Sequence, residues 1–223
     1  MMETVDYDAF ARQQILYSRR TETFGGATAL YECTFEKDNG LVPQMAQARQ
    51  YADHWQEMRQ ENLGLLLWGQ PGNGKTFAAA SIANALLERG GREAPRMRMT
   101  TLGTVLSRLP GMTPGEKESY FSQFFSCELL ILDDFGMERQ TDYAREQVFN
   151  LIDGRYLARR PLIVTTNLSL NQLKSTTNLA EKRIYDRILE LCVPVFFGGE
   201  SQRPARAKAN LDRFRAITAT QSR

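Results

Sequence analysis

The chain has few of the residues that build metal sites and disulfide frameworks. It contains one histidine, His54, and three widely spaced cysteines, Cys33, Cys127 and Cys192. A structural zinc site takes about four clustered Cys or His ligands, so the ligand count excludes such a site. The odd number and wide spacing of the cysteines predict reduced thiols, as in a cytoplasmic protein.

Long apolar runs and a strong excess of one charge are also missing. No apolar stretch approaches the ~20 residues that span a membrane, and the opening MMETVDYDAF does not have the layout of a signal peptide. We therefore expect a cytoplasmic protein with no membrane partner. The net charge of +2 is too small to indicate nucleic acid binding by itself.

The chain does contain a phosphate-binding loop, GQPGNGKT, with the pattern G-x-x-x-x-G-K-[ST]. Gly69 and Gly74 permit a close backbone approach to phosphate oxygens. Lys75 is placed to reach the β- and γ-phosphates, and the Thr76 hydroxyl is placed to coordinate Mg²⁺. An apolar run precedes the loop and a helical pattern follows it, which is the order that the motif needs. The predicted nucleotide-binding residues are Gly69, Pro71, Gly72, Asn73, Gly74, Lys75, Thr76 and Phe77.

Strand and helix patterns alternate along the chain. The strand candidates are 63–68, about 96–100, 128–132, 162–166 and 192–197. This alternation predicts an α/β fold in which a five-stranded, mostly parallel sheet carries helices on both faces. Upstream, YDAFARQQILYSRR predicts one amphipathic helix, and extended, turn-rich chain is expected after it.

Two strand ends carry polar side chains. Asp133 and Asp134 follow the apolar run LLIL, at the sheet edge where ligands bind in open α/β folds. Asp133 is placed to hold Mg²⁺, and Asp134 to orient or deprotonate an attacking water. Asn167 follows the strand PLIVTT, where its amide is placed to sense the γ-phosphate, although a strand-ending Asn is also a common turn residue.

Arginines follow the last strands. Arg183 and Arg187 are four residues apart and share a helix face, while Arg203 and Arg206 follow a Gly-Gly break. A guanidinium group forks onto two phosphate oxygens, which makes arginine the usual residue for phosphoryl recognition. A solvated basic surface is the alternative explanation for each of them.

Together these segments resemble the AAA+ ATPases, and more closely the helicase loaders of the DnaC/DnaI type and the related IstB-type transposition helpers. The resemblance is carried by LLLWGQPGNGKTFAAASIANALLERG, LLILDDFGMERQTDYAREQVFNLIDGRY, PLIVTTNLSLNQL and RIYDRILE. It implies the AAA+ P-loop fold and three parts: a short N-terminal extension at 1–40, the ATPase domain at 41–210 and a C-terminal tail at 211–223.

The resemblance implies that the nucleotide is ATP and gives a role to each matching residue. Lys75 and Thr76 match the Walker A lysine and threonine. Asp133 and Asp134 match Walker B, where most AAA+ proteins have Glu at the second position. The shorter side chain of Asp134 predicts slow, switch-like hydrolysis. Asn167 matches sensor 1.

The resemblance also implies partners. Arg187 matches the arginine finger that reaches a neighbouring subunit's γ-phosphate, so self-association is expected, and Arg203 matches the sensor 2 arginine. Thr141 and Tyr143 lie where loaders of this type are thought to contact single-stranded DNA. Basic residues near Tyr143 that support DNA binding are Arg139 and Arg145. A loader also implies a replicative helicase as partner.

Other functions stay open at this point. A transposition helper has the same ATPase core and acts on duplex DNA. A small-molecule kinase of the P-loop type would need an arginine-bearing lid, and the segment 108–126 offers only Arg108 and Lys117 as cations. A nucleotide-binding scaffold without hydrolysis is disfavoured by the intact Lys75, Asp133 and Asn167.

Overall fold

The computed structural model describes residues 7–137 and 141–219. The strands are β1 (Gly64–Trp68), β2 (Met97–Thr101), β3 (Leu129–Phe135), β4 (Leu162–Thr166) and β5 (Cys192–Phe196). The helices are α1 (Tyr7–Phe24), α2 (Met45–Asp53), α3 (Trp55–Gln60), α4 (Lys75–Gly90), α5 (Leu102–Ser107), α6 (Pro114–Ser126), α7 (Asp142–Leu157), α8 (Leu170–Ser175), α9 (Leu179–Leu191) and α10 (Arg203–Ala219). Within the described ranges, none of these helices has the length and apolar character of a membrane span.

The five strands form one sheet in the order β2-β3-β4-β1-β5, and every neighbouring pair is parallel. Parallel neighbours need crossover connections, which place helices over both faces of the sheet. One apolar core lies between the sheet and α1, α2 and α4, and a second lies between the sheet and α5–α9. The predicted α/β fold is confirmed, and all five strands are parallel.

Successive side chains along each strand point to opposite faces of the sheet and so belong to different cores. Leu65 and Leu67 of β1 belong to the first core, whereas Leu66 between them belongs to the second. On β3, Ile131 likewise lies in the first core and its neighbour Leu132 in the second. Because all strands run the same way, their carboxyl ends meet at one edge, and the predicted site residues Asp133, Asp134 and Asn167 lie at this edge.

The N-terminal segment differs from the expectation. The helix α1 continues to Phe24, so TETF is helical rather than extended. Phe24, Tyr31 and Phe35 are buried in the same core as α4. The Arg19 guanidinium donates hydrogen bonds to the carbonyls of Ala94 and Pro95, just before the edge strand β2. Residues 7–40 therefore contribute to the same core as α4, and α1 covers the β2 edge of the sheet.

Helix α6 begins inside the Pro/Gly-rich stretch 108–118. The loop that follows α5 ends at Thr113, the N-cap of α6. The Thr113 side chain accepts from the backbone of Glu116, whose carboxylate accepts from the Thr113 backbone, and Pro114 takes the first helical position. This capping box satisfies backbone donors at the start of α6, so helix replaces loop there.

Candidate nucleotide-binding site

The phosphate loop connects β1 to α4 and needs glycine at its turns. Gly69, Gly72 and Gly74 all have positive φ, at 141°, 88° and 87°. A Cβ atom on Gly72 would overlap the Ser201 hydroxyl and lie 3.3 Å from Cγ of Arg203. The loop therefore keeps its backbone open toward the pocket, in a conformation that other residues rarely adopt.

Lys75 begins α4 and is only 6% exposed. Its Nζ donates to the carbonyls of Gly69 at 2.7 Å and Gln70 at 2.8 Å. Burial lowers the pKa of Lys75, while the carboxylates of Asp134 and Asp133 oppose that change. The loop thus holds an ammonium group at the positive end of a helix, which is an arrangement suited to phosphate.

Thr76 and Asp133 form a pair of oxygen ligands behind the lysine. The Thr76 hydroxyl donates to Asp133 at 2.9 Å, and the Thr165 hydroxyl donates to the same carboxylate at 2.6 Å. Burial raises the pKa of Asp133, and the two hydroxyl donors oppose that rise. Both groups can supply oxygen ligands, which are the ligands that Mg²⁺ prefers, so this pair could hold the ion.

Asp134 points into the pocket although it lies within β3. Its φ is 54°, and the register between β3 and β4 shifts between Leu132 and Phe135. Its backbone N–H donates to the Thr165 hydroxyl at 2.9 Å. The sequence predicts that the strand ends before the two aspartates, whereas β3 runs through them. The irregular backbone turns two consecutive carboxylates to the same site, which regular alternation would not do.

One pocket gathers most of the predicted nucleotide-binding residues. It is lined by Pro71, Gly72, Gly74, Lys75, Thr76, Phe77, Asp134, Asn167, Gln202 and Arg203. All of these except Gln202 are predicted from the sequence. Gly69, Asn73 and Asp133 lie behind this lining, where they support the loop and Thr76. The phosphate loop, the ends of β3 and β4, and the start of α10 therefore meet at one place.

The segment 197–203 is hydrogen-bonded to the phosphate loop. The Asn73 amide donates to the carbonyls of Phe197 and Gly199, both at 3.1 Å. The backbone N–H of Gln202 donates to the Gly72 carbonyl, also at 3.1 Å. Sequence reasoning missed both Gln202 and the role of the Asn73 side chain, since the only signal is the neighbouring Arg203. These bonds bring Arg203 to the pocket.

Arg187 does not line this pocket. Its Nη2 atom pairs with Asp153 on α7 at 2.6 Å, and its guanidinium lies over the rings of Phe149 and Tyr156. Arg187 therefore pairs with a residue of another helix, not with the acids beside it on α9. Arg183, on the same helix, is exposed.

The two predicted DNA contacts lie in different environments: Thr141 caps a helix, whereas Tyr143 is exposed. Thr141 is the N-cap of α7, and its hydroxyl accepts from the Ala144 backbone at 3.1 Å. Tyr143 is 44% exposed, and the Lys117 ammonium lies 5.5 Å from its ring centre. Arg145 pairs with the carboxylates of α7 and α9. Arg139 and the side chain of Arg206 lie outside the described residues.

Comparisons with known proteins agree with this geometry. A family model described as IstB-like ATP binding protein matches residues 16–210. The replicative helicase loader DnaC of Escherichia coli (strain K12) is 26% identical over 178 residues, which cover 76% of this chain and 69% of DnaC. The replicative helicase loader DnaI of Bacillus subtilis (strain 168) is 29% identical over 150 residues, covering 63% of this chain and 47% of DnaI.

A solved structure extends the likeness to three dimensions. The crystal structure of the DnaC helicase loader superposes with a TM-score of 0.59 at 26% identity, and the match covers 69% of this chain and 87% of that chain. The AAA+ P-loop fold that the sequence predicts is thereby confirmed.

Proposed function

Because the chain belongs to the family of IstB-like ATP-binding proteins, we propose that it is an ATP-dependent loader of a replicative helicase onto single-stranded DNA. The observation that carries this proposal is the pocket in which the phosphate loop meets Asp134, Asn167 and Arg203. The relatives DnaC and DnaI are replicative helicase loaders, which supports the same cargo for this chain.

ATP and Mg²⁺ are the ligands that the pocket fits. The triphosphate would lie along the open backbone of Gly72 and Gly74, against the N-terminus of α4 and Nζ of Lys75. Thr76 and Asp133 would hold Mg²⁺ through their oxygens. Bound Mg²⁺ supplies positive charge beside the phosphate oxygens, on which negative charge develops during hydrolysis.

The remaining side chains position water and sense the nucleotide. Asp134 faces the pocket and would orient the attacking water, while Asn167 would hold it from the end of β4. Arg203 lines the same pocket and would contact the phosphates. We propose that Arg187 completes the site of the next subunit, so that hydrolysis requires assembly and stays slow in the single chain.

Two rival functions gain less support. A small-molecule kinase would need a cationic lid at the nucleotide, but neither Arg108 nor Lys117 lines the pocket. A transposition helper would share the whole ATP site and would prefer duplex DNA. The helicase loaders among the relatives favour single strands as the DNA form, with the exposed ring of Tyr143 as a stacking surface.

The proposal is tested with a lysine variant and its matched control. Lys75→Ala removes the buried ammonium of the loop, so ATP binding or hydrolysis should fall by about 2–4 kcal/mol. Lys174→Ala, an exposed lysine on α8, should leave both unchanged. With ATP present, the wild-type chain should retain the purified replicative helicase of its source cell, and Lys75→Ala should lose the ATP dependence of that retention.

Two results would contradict the proposal. Unchanged ATP affinity and turnover in Lys75→Ala would rule out this pocket as the nucleotide site. Retention of a transposase in place of the helicase, together with tighter binding to a duplex than to a single strand of equal length, would point to the transposition helper.

A further inference from the structure

A second cavity, lined by both polar and apolar side chains, adjoins the nucleotide site. It has a volume of about 270 Å³ and lies between the C-terminal end of α1, the edge strand β2, and the helices α5 and α6. Asp133 contributes to its wall, but no residue of the phosphate loop does. The cavity is therefore a separate space that meets the nucleotide site at one carboxylate.

Two arginines enter this cavity from different elements. Arg98 comes from β2 and Arg108 follows the last turn of α5. Tyr120 of α6 lines the same cavity, and burial raises the pKa of its phenol, while the charges of Arg108 and Arg98 oppose that rise. Two cationic side chains and a phenol therefore line one cavity.

Among residues 7–137 and 141–219, no acidic side chain forms an ion pair with Arg98 or Arg108. The two acids in the cavity wall have other partners. Glu22 pairs with Arg19 at 3.4 Å, and Asp133 accepts from the hydroxyls behind the phosphate loop.

We propose that this cavity binds a phosphate ester through the guanidinium groups of Arg98 and Arg108, with the Tyr120 hydroxyl as a further donor. Guanidinium groups bind phosphate through two parallel hydrogen bonds each, and two of them can share one phosphate. The hydroxyls of Thr101 and Thr104, 3.0 Å from each other, add polar groups to the same wall. The phosphate can come from the backbone of a nucleic acid strand or from a free nucleotide.

The test separates this cavity from the phosphate loop. In the Lys75→Ala background, which weakens the loop, isothermal titration with inorganic phosphate should show binding. Adding Arg98→Gln and Arg108→Gln should weaken that binding about tenfold or more, because two charge-assisted contacts are lost. Adding Arg96→Gln instead should leave it unchanged, since Arg96 lies two residues away on the same edge of the sheet and outside the cavity wall.

A second arm identifies the source of the phosphate. A fluorescent single-stranded oligonucleotide is titrated with the same variants at constant ionic strength. Weaker oligonucleotide binding in the double variant, but not in Arg96→Gln, assigns the cavity to a strand backbone. Unchanged oligonucleotide binding with lost phosphate binding assigns it to a free phosphate ester.

The proposal is overturned if Lys75→Ala binds no phosphate, or if the double variant binds phosphate as tightly as its parent. Tyr120→Phe supplies an independent check if the double variant does not fold. It keeps the ring and removes only the hydroxyl, so phosphate binding should weaken several-fold while circular dichroism stays the same. Unaltered phosphate affinity in this variant would remove Tyr120 from the site.

Discussion

Arg187 and Asp153 form an ion pair across α9 and α7, with Nη2 and Oδ1 2.6 Å apart. The same guanidinium lies 4.9 Å from the ring centre of Phe149 and 5.7 Å from that of Tyr156. Both charged side chains are about three-quarters shielded from solvent. The arginine that we propose to act on a neighbouring subunit is therefore held in one orientation, which lowers the entropy cost of presenting it.

Arg187→Ala should lower ATP hydrolysis by about 10³-fold or more while ATP affinity changes little, as expected for a guanidinium that stabilises transition-state charge in trans. The control is Arg183→Ala, an exposed arginine one turn away on the same helix. Mixing Arg187→Ala with Lys75→Ala should restore part of the activity, because some interfaces then pair an intact loop with an intact arginine. Full activity of Arg187→Ala alone would refute the role.

Tyr143→Ala should weaken binding to single-stranded DNA by about 1–3 kcal/mol, since bases stack on exposed aromatic rings without sequence preference. Tyr143→Phe keeps the ring and should bind nearly as well as the wild type. Fluorescence anisotropy with a labelled single strand measures both, and the affinity of every variant should fall as salt rises. Equal affinity of the alanine and phenylalanine variants would show that no base stacks here.

Gly72→Ala should damage the nucleotide site. The residue has φ of 88°, and a Cβ atom there would overlap Ser201 and crowd Arg203. A non-glycine residue at positive φ costs about 1–2 kcal/mol, and the segment that carries Arg203 must also move. ATP affinity, followed by titration, should therefore fall.

Gly115→Ala is the matched control for that variant. A Cβ at Gly115 meets open space within α6, so the fold should become more stable by up to about 1 kcal/mol while ATP binding is unchanged. If Gly72→Ala binds ATP as well as Gly115→Ala does, the close packing of 201–203 on the loop is not needed for binding.

Asp133→Asn should melt at the same temperature as the wild type or higher, yet lose Mg²⁺-dependent hydrolysis. Burial raises the pKa of Asp133 above its ordinary value, so at neutral pH the ionised carboxylate destabilises the fold relative to the unfolded chain. Asp153→Asn is the contrast, because its carboxylate is paired with Arg187 and its loss should lower the melting temperature. A large drop for Asp133→Asn in thermal unfolding would contradict this reasoning.

Arg155→Ala should destabilise the fold by about 3–5 kcal/mol. This arginine is fully buried, and burial lowers its pKa to about 10. Its guanidinium donates to the carbonyls of Phe124, Phe125, Cys127, Glu128 and Pro161. Those carbonyls lie at the end of α6 and before β3 and β4, and they would lose their donor. Urea unfolding measures the loss, with the exposed Arg183→Ala expected to change stability by about 0.5 kcal/mol or less.

The sequence by itself determined the features that depend on neighbouring residues. The phosphate loop, the buried strand before it, the helix after it and the aspartates of β3 follow from short patterns, because glycine positions and the periods of strands and helices act over a few residues. Together with the family resemblance, which implied the roles of Asn167 and Arg203, these patterns named nine of the ten residues that line the pocket.

Only the tertiary structure decided which distant residues meet. The Asn73 amide donates a hydrogen bond to the Phe197 carbonyl, 124 positions away. Arg187 forms its ion pair with Asp153 on α7 and not with the acidic residues beside it on α9. The carbonyls of Glu128 and Pro161 that Arg155 binds precede β3 and β4, which become neighbours only in the sheet order β2-β3-β4-β1-β5. The alternation of strands and helices along the chain does not specify the strand order, because any order that covers both faces of the sheet buries apolar surface. The order is fixed by contacts between side chains that are distant in the sequence.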